Sequence, residues 1–246
     1  MRNICKFTGC DLTGLTLNQY QVNRGNEIVK TSMPEISTKC RSVQGDFMKM
    51  PFDDAQYDAA YAIEATCHAP DRVGVYSEIF RVLKPGSIFA CYEWCMTDNF
   101  DATNKDHLRM KKQIEEGDGL PDICHTSTCL DAMKKAGFDI LHEEDMANED
   151  FGVERGGKAW MTPLLPSWNP TTQRFQFNWL GQFIVKYSLK MLEFVFLAPK
   201  GTSETQLMLQ KGGIGLGDGG EAMIFTPMYL MVGRVPLEKR NTSADQ

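Results

Sequence analysis

The sequence predicts an α/β protein with a mostly parallel, doubly wound sheet, in which helices cover both faces. Short apolar segments typical of strands alternate with segments whose apolar residues recur every three or four positions, as they do on one face of a helix. This alternation is typical of parallel sheets with helical crossovers. A helical pattern that begins near Arg72 is also broken by Lys84-Pro85-Gly86 and followed by an apolar segment, which indicates a buried strand. The 246 residues suit one such domain with an appendage.

The first half of the chain contains four predicted strands. They cover Cys10 to Leu15, Cys40 to Gln44, Tyr57 to Ile63 and Ser87 to Glu93. Asn18 follows the first strand, and it is expected to cap a helix because an asparagine side chain accepts hydrogen bonds from the first turn. A second helix is expected from about Arg72 to Leu83, where apolar residues recur at helical spacing.

The middle of the chain is predicted to contain one more helix and strand, and the sequence becomes irregular after Phe151. Ser127 is predicted to cap a helix that Gly137 ends, and a strand is expected from Phe138 to Leu141. Tryptophans and prolines then interrupt any regular pattern, which is typical of a long loop. We therefore divide the chain into a core, residues 1–150, a lid or linker, residues 151–174, and a C-terminal region, residues 175–246.

The C-terminal region has a strong helical pattern and a final strand. Apolar residues hold a helical stripe from Phe175 to Leu197, and Ser203 with Gln206 form a capping-box pattern for a further short helix. The glycine-rich segment KGGIGLGDGGE lacks the Gly-Lys-Ser/Thr of a phosphate-binding loop, so we interpret it as an ordinary loop. The last strand is expected from Thr226 to Val235.

Composition excludes several classes of function. The formal charge is −6 and no dense cluster of Lys and Arg occurs, so a nucleic-acid partner is not expected. The eight cysteines include no C-x-x-C pair and no secretory signal precedes them, which favours a reducing compartment and predicts no metal site. The most apolar segment contains Lys186, Lys190 and Glu193, so any membrane association is expected to be peripheral.

Polar side chains follow the predicted strands where each strand ends. Thr16 follows the first strand, Asp46 the second, Glu64 and His68 the third, and Glu93 ends the fourth. In an open α/β sheet, ligands bind outside the carboxyl ends of the strands. These residues are therefore expected to line one crevice.

Four segments carry a resemblance to a known family. The run YAIEATCHAPDR from Tyr61, together with YEWCMTD, EEGDGLPDI and FTPMYLMVGRVP, resembles sterol C-24 methyltransferases along essentially the whole chain. The resemblance implies the sheet of a class I S-adenosylmethionine-dependent methyltransferase with a C-terminal sterol-methyltransferase region. It implies S-adenosylmethionine as the cofactor and methyl transfer to C-24 of a Δ24-sterol as the reaction.

The resemblance also assigns site residues. Those at cofactor-binding positions are Thr16, Leu17, Gln21, Asp46, Phe47 and Ile63. The catalytic positions are Tyr61, Glu64 and His68, and the substrate positions are Tyr92, Trp94 and Asp118. A carbocation forms in this reaction, and aromatic faces and carboxylates can stabilise it before His68 or Glu64 removes a proton. The alternative for His68 is a structural one, in which it caps the following helix or hydrogen-bonds in the core.

The resemblance begins inside the helix that follows the family's glycine-rich turn. We therefore expect the first strand and its glycine-rich loop to be lacking, so that the strand bearing Leu12 to Leu15 and the strand bearing Tyr57 to Ile63 flank a gap. Either Met1 is internal to a longer product or the chain is a naturally shortened paralogue.

Two further functions compete with sterol methylation: a catalytically impaired sterol-binding paralogue or fragment, and a methyltransferase that acts on another lipid or a phenolic acceptor. The implied partner is a sterol, with homo-oligomer formation left open. The implied location is intracellular, on or near the cytosolic face of the endoplasmic reticulum, without a transmembrane segment.

Overall fold

A computed structural model describes residues 1–147 and 160–238 of the chain. The helices are α1 (Arg2–Thr8), α2 (Gln19–Ser32), α3 (Arg72–Val82), α4 (Lys105–Asp118), α5 (Thr126–Lys135), α6 (Trp179–Phe194) and α7 (Thr202–Glu221). The strands are β1 (Leu12–Thr16), β2 (Cys40–Gln44), β3 (Tyr57–Ile63), β4 (Leu83–Met96), β5 (Asp139–Asp145) and β6 (Phe225–Arg234). Short 3₁₀ helices lie at Pro34–Ile36, Thr66–His68, Thr162–Leu164 and Gln173–Phe177.

The strands form two separate sheets. Strands β1 and β2 are a parallel pair, and the larger sheet has the order β3-β4-β6-β5. In the larger sheet β3, β4 and β5 run in the same direction, and β6 runs back between β4 and β5 and pairs antiparallel with both. The expectation of a mostly parallel sheet is therefore confirmed, and β6 is the exception to it among the described strands. The direction of β6 depends on the end of the sheet at which the preceding helix, α7, finishes. The alternation of helices and strands in the sequence does not encode that end.

Helices cover both faces of the larger sheet, as a doubly wound fold requires. On one face, α3 and α5 bury Tyr76 and Met133 against Phe89 of β4. On the other face, Ile114 of α4 lies in a second apolar cluster with Phe225 of β6. A third, smaller cluster lies beneath β1 and β2.

Strands β1 and β3 do not pair with each other. Each lies at the edge of its own sheet. Strand β1 pairs with β2 from Leu12 to Thr16, and β3 pairs with β4 from Tyr57 to Ile63. Residues of both edges line one cavity that separates the sheets. This arrangement agrees with the expected gap between these two strands.

Two of the predicted helix and strand boundaries need correction. Asn18 caps α2 as expected, and its side chain accepts from the Tyr20 amide at 2.9 Å. His125, and not Ser127, occupies the N-cap of α5, since its ring nitrogen lies 3.2 Å from the Ser127 amide. Strand β4 already begins at Leu83, so Lys-Pro-Gly lies within its span as an irregular insertion between two paired segments.

The glycine-rich segment is helical, so its interpretation as a loop is wrong. It forms the second half of α7, whose glycines let the helix approach α4 closely. A Cβ atom on Gly117 of α4 would lie 2.2 Å from the Gly212 Cα, and one on Gly215 would lie 2.7 Å from the Gln113 Cβ. Tertiary packing of this kind outweighs the low helix propensity of glycine.

The start of α7 also differs from the capping-box prediction. Gly201 occupies its N-cap, and the helix runs for 20 residues. The amide and hydroxyl of Ser203 instead donate to the Glu193 carboxylate of α6, at 2.8 Å and 3.0 Å. These two hydrogen bonds tie the two C-terminal helices together.

Helix α6 confirms the predicted helical stripe, but most of the stripe is exposed. Gly181 is its only buried residue. The division into core, lid and C-terminal region stays a proposal. Residues 148–159 of the boundary between core and lid, and residues 239–246 at the end of the chain, lie outside the described residues.

We expect Gly117→Ala to lower the free energy of unfolding by about 1–3 kcal/mol, because its methyl group overlaps the α7 backbone. Gly217→Ala is the matched control within α7, since its Cβ would meet Leu164 atoms only at 3.4 Å or more. That control should be neutral or stabilising, because alanine favours a helix by about 1 kcal/mol over glycine. Urea unfolding of the three proteins measures the difference, and equal stabilities would contradict the close packing of α4 on α7.

Candidate functional site

The cavity between the two sheets has a volume of about 300 Å³ and a mainly apolar lining. Leu12 to Leu15 of β1 form one wall and Tyr57 to Ile63 of β3 form the opposite wall. Among the predicted site residues, the cavity brings together Phe47, Tyr61 and Ile63. Tyr61 and Ile63 are 40% and 55% exposed, so they present their side chains to this opening and do not pack in the core.

A second hollow adjoins the cavity at the end of β1. Thr16 and Gln21 line it with Gly14 and Gly25, and Gly14 also belongs to the first cavity. The Thr16 hydroxyl donates to the side-chain oxygen of Gln21 at 2.8 Å, which fixes these two side chains relative to each other. The two hollows share Met1, Gly14 and Leu15 in their linings, so they lie next to each other along β1, and we refer to them together as the crevice.

A turn after β2 places Phe47 on the wall of the cavity. The Asp46 carboxylate accepts from the Met48 amide at 2.8 Å, which stabilises the turn. Asp46 itself lies outside the cavity lining, and so does Leu17, which is 63% exposed. The carbonyl of Leu17 accepts from the Gln44 side chain at 3.0 Å, so the ends of β1 and β2 are held side by side.

Beyond β3, the backbone makes two tight turns. Glu64 adopts a left-handed conformation with φ of 51°, and its amide donates to the Tyr92 carbonyl at 3.1 Å. Such a conformation costs of order 1–3 kcal/mol in a residue other than glycine, and it is typical of functional sites. The 3₁₀ helix Thr66–His68 then ends at Ala69, which is extended because Pro70 follows it.

The buried side chain of Arg72 holds this 3₁₀ turn in place. Its guanidinium donates to the carbonyls of Thr66, Cys67 and Ala69 at 2.8, 2.8 and 2.6 Å. It also reaches the Asp122 carbonyl at 3.4 Å. Hydrogen bonds that involve a charged group contribute about 1.5–3 kcal/mol each, so this one side chain fixes the backbone on both sides of His68.

Glu93 lies beneath the same turn and is completely buried. Its Oε1 accepts from the Thr66 hydroxyl and, at 2.9 Å, from the Tyr76 hydroxyl. Burial raises the pKa of the Glu93 carboxyl, and the hydrogen bond from Thr66 and the Arg72 charge oppose part of that rise. Within the described residues its Oε2 has no hydrogen-bond partner.

His68 and Asp118 come near each other although they are far apart in sequence. Burial raises the pKa of Asp118, and the charge of His68 opposes part of the rise. The Asp118 Oδ2 is buried and has no partner among the described residues. Asp71, and not His68, occupies the N-cap of α3, so the structural alternative in which His68 caps this helix is wrong.

Tyr92 and Trp94 lie on the face of β4 opposite to Glu93. Tyr92 is the register partner of Ile63, so its side chain shares a face with the cavity wall. Trp94 instead packs edge-on against Phe225 at 5.4 Å, within the apolar cluster under α4 and α7. The structure therefore separates Trp94 from the cavity lining.

In the described residues, the turn offers neither a reactive thiol nor a group of side chains that could bind a metal ion. Burial is the main cause that raises the pKa of Cys67 to about 12, so this thiol is protonated at neutral pH and is a poor nucleophile. Among residues 1–147 and 160–238, no group of three or more His, Cys, Asp or Glu is placed to hold a metal ion.

Sequence reasoning missed Arg72 and Tyr76. It placed Glu93 in the crevice at the strand ends, and that expectation is wrong because Glu93 is completely buried beneath the turn. Arg72 and Glu93 each left a weak signal. Arg72 begins a helix whose buried side is otherwise apolar, and Glu93 is the one carboxylate in the apolar segment SIFACYE. A charged residue inside an apolar pattern indicates a buried, paired group.

We expect Glu93→Gln to change the pH dependence of stability. Because burial raises the pKa of this acid above its unfolded value, the folded protein favours the protonated form. Its stabilising contribution is present below the ordinary carboxyl pKa and is lost as the pH rises through the raised pKa. Glutamine loses no proton, so the stability of the variant relative to the parent should increase between about pH 5 and pH 8.

Urea unfolding at both pH values measures this difference. Glu78→Gln is the control, since the hydrogen bond from Arg81 lowers the Glu78 pKa and its substitution should not favour the variant at the higher pH. If Glu93→Gln and the parent respond equally to pH, the account of a buried, raised carboxyl is contradicted.

Comparison with known proteins places this geometry in a family. Residues 2–91 match the family model described as methyltransferase domain, and residues 172–237 match the model described as sterol methyltransferase C-terminal. A solved structure of geranyl diphosphate C-methyltransferase from Streptomyces coelicolor has a TM-score of 0.63 and 17% identity, with 96% of this chain and 66% of that chain covered. That likeness shows the fold.

The curated relatives are more similar. Cycloartenol-C-24-methyltransferase from Arabidopsis thaliana is 45% identical over 236 residues, which cover 96% of this chain and 68% of the relative. Sterol 24-C-methyltransferase from Saccharomyces cerevisiae is 40% identical over 241 residues, with 96% of this chain and 61% of the relative covered. At this identity, and with both the methyltransferase and the C-terminal regions matched, the chain belongs to the sterol C-24 methyltransferase family.

Proposed function

We propose that this protein transfers a methyl group from S-adenosylmethionine to C-24 of a Δ24-sterol in sterol biosynthesis. The observation that carries the proposal is the position of the family's YAIEATCHAPDR segment. It forms the wall of the cavity at Tyr61 and Ile63 and continues into the turn that Arg72 holds. Identity of 39–46% to curated cycloartenol-C-24-methyltransferases and sterol 24-C-methyltransferases supports the same reaction.

The residues of the crevice fit S-adenosylmethionine. Phe47 and Ile63 provide apolar surfaces for the adenine ring, and Asp46 beside them provides an acceptor for its amino group. Thr16 and Gln21 provide polar groups for the ribose hydroxyls, and Leu17 lies beside them. When bound, S-adenosylmethionine supplies an electrophilic methyl group on a sulfonium. These six assignments remain proposals.

The reacting part of the sterol would lie beside the turn. The side-chain double bond would form the new carbon–carbon bond at C-24 while the methyl–sulfur bond of the cofactor breaks and leaves a neutral thioether, and a cation would develop on the adjacent carbon of the sterol. Tyr61 and Tyr92 present aromatic rings on this face of the sheet, and Glu64 supplies negative charge there. His68 or Glu64 then accepts the proton whose loss restores a double bond. We assign Asp118 to the substrate side, near His68. The assignment of Trp94 to the substrate rests on the family resemblance alone, since Trp94 packs against Phe225 and does not line the cavity.

A sterol substrate is supported by the relatives, whereas membrane contact, an endoplasmic-reticulum location and a homo-oligomer are proposals only. In the described residues, none of the helices combines the length and the apolar character that crossing a bilayer needs.

The competing functions, a non-catalytic sterol-binding paralogue and methylation of another lipid, have no specific observation in their favour. Transfer of radiolabelled methyl to a panel of sterols, with a phenolic and a non-sterol lipid acceptor alongside, separates all three. Label in Δ24-sterols alone is expected, and label in the other acceptors alone, or in none, would contradict the proposal.

We expect Glu64→Gln to reduce turnover by about 10²–10³-fold while it leaves cofactor affinity nearly unchanged, because it removes charge where the cation develops. Turnover by methyl transfer and affinity by calorimetric titration are the two measurements. Glu27→Gln, at an exposed position of α2 where Glu27 pairs with Arg24 at 2.8 Å, is the matched control and should retain both. If Glu64→Gln turned over at the parent rate, Glu64 would have only a structural role.

A further inference from the structure

Helix α6 and the turn after it expose a continuous apolar surface. We name it the α6 surface, and its members are Trp179, Phe183, Ile184, Tyr187, Met191, Phe194, Val195, Phe196 and Leu197. The helical members recur every three or four residues, so they share one side of the helix. Phe194, Phe196 and Leu197 are 82%, 93% and 77% exposed, which is unusual for such large apolar side chains.

The body of the protein holds this surface in a fixed orientation. A Cβ atom on Gly181 would lie 1.9 Å from the Phe175 carbonyl oxygen, so the start of α6 packs directly on the preceding segment. At the other end, Glu193 accepts the two hydrogen bonds from Ser203 that join α6 to α7. The α6 surface is therefore an outward face of packed structure. Trp168, 64% exposed and edge-on to Trp179 at 6.1 Å, extends it.

Basic residues border the α6 surface although the whole chain carries a net charge of −6. Lys186 and Lys190 lie one turn apart on one edge, and Lys200 follows the exposed turn. The ammonium of Lys186 lies 5.8 Å from the centre of the Tyr187 ring. The one acidic residue of α6, Glu193, stays charged, because hydrogen bonds from the amide and hydroxyl of Ser203 lower its pKa. The three lysines outnumber this carboxylate, so together these four residues carry a net positive charge along the border of the apolar surface.

We propose that the α6 surface binds the surface of an anionic phospholipid bilayer. Its aromatic and aliphatic side chains would enter the boundary between headgroups and acyl chains, and its lysines would face the lipid phosphates. A second copy of this chain fits less well, because a two-fold contact would bring two sets of the same lysines to one interface. The proposal rests partly on the proposed function, since a sterol acceptor resides in a bilayer.

The test is co-sedimentation of the 246-residue chain with sterol-free vesicles of phosphatidylcholine alone or with added phosphatidylserine. Binding requires neither cofactor nor turnover, so its failure is distinct from failure of the methyltransferase proposal. The parent is expected to bind the phosphatidylserine vesicles, and less strongly at raised salt. Phe194→Asp combined with Phe196→Asp should weaken binding by about tenfold or more. Aspartate suits position 196, where φ is 59°.

The matched control is Phe7→Asp combined with Leu237→Asp, which changes two equally exposed apolar residues away from the α6 surface and should bind like the parent. Lys186→Gln, Lys190→Gln and Lys200→Gln together should remove the preference for phosphatidylserine, by about fivefold for each lysine. This triple variant decides the question if circular dichroism shows that the aspartate pair has not folded.

Three results would overturn the proposal: no binding by the parent, binding that both sets of α6 variants retain, or equal loss in the matched control. A dimer in sedimentation velocity that the aspartate pair dissociates, together with no vesicle binding, would assign the surface to a second copy of the chain.

Discussion

The position of the signature turn depends on one buried guanidinium. Arg72 is 7% exposed and donates to the carbonyls of Thr66, Cys67 and Ala69, of which that of Thr66 also accepts from the Ala69 amide within the turn. Without it, the carbonyls of Cys67 and Ala69 would lose this donor, and each buried unsatisfied group costs about 1–3 kcal/mol. Besides Arg72, the turn is held by the hydrogen bonds of the His68 and Ala69 amides and by the Thr66 hydroxyl, which donates to Glu93, and Pro70 prevents the helix from continuing.

Arg72 also helps to explain why an acidic side chain can lie in the apolar interior below the turn. A buried carboxyl group is tolerated only when nearby charges or hydrogen bonds compensate for lost water. Glu93 receives hydroxyl hydrogen bonds from Thr66 and Tyr76, and the positive charge of Arg72 lies nearby. Thr66 links both groups, because its carbonyl accepts from Arg72 while its hydroxyl donates to Glu93. The backbone and the buried acid therefore stabilise one arrangement.

This arrangement connects to the cavity through the register of the sheet. Residues of β3 and β4 that lie opposite each other share a face, so Tyr61 and Ile63 point away from the buried acid and toward the opening. The turn that follows β3 carries Glu64 and His68 past the end of the strand. A cofactor in the crevice and an acceptor beside the turn would therefore meet at the carboxyl end of β3, as the fold class requires.

Local chemistry made part of this structure predictable. Asn18 caps α2 as expected because a cap depends on a few adjacent residues. The glycine-rich half of α7 was mispredicted because its helix is stabilised by contact with Gly117 on α4, which is remote in sequence. The direction of β6 was missed for a similar reason, and so were the roles of Arg72 and Glu93. The family resemblance identified the site segments, but it did not reveal that Trp94 packs against Phe225 away from the cavity.

Amide hydrogen exchange in the Arg72→Lys variant tests most directly whether Arg72 fixes the signature turn. Lysine keeps the positive charge, but its single ammonium group cannot donate to three separate carbonyls at once as the planar guanidinium of arginine does. The account predicts faster exchange at the amides of His68 and Ala69, which donate within the turn to the Ala65 and Thr66 carbonyls. Arg81→Lys, at another arginine of α3 that also donates to backbone carbonyls, should leave these amides unchanged. Unaltered protection of His68 and Ala69 in Arg72→Lys would contradict the account.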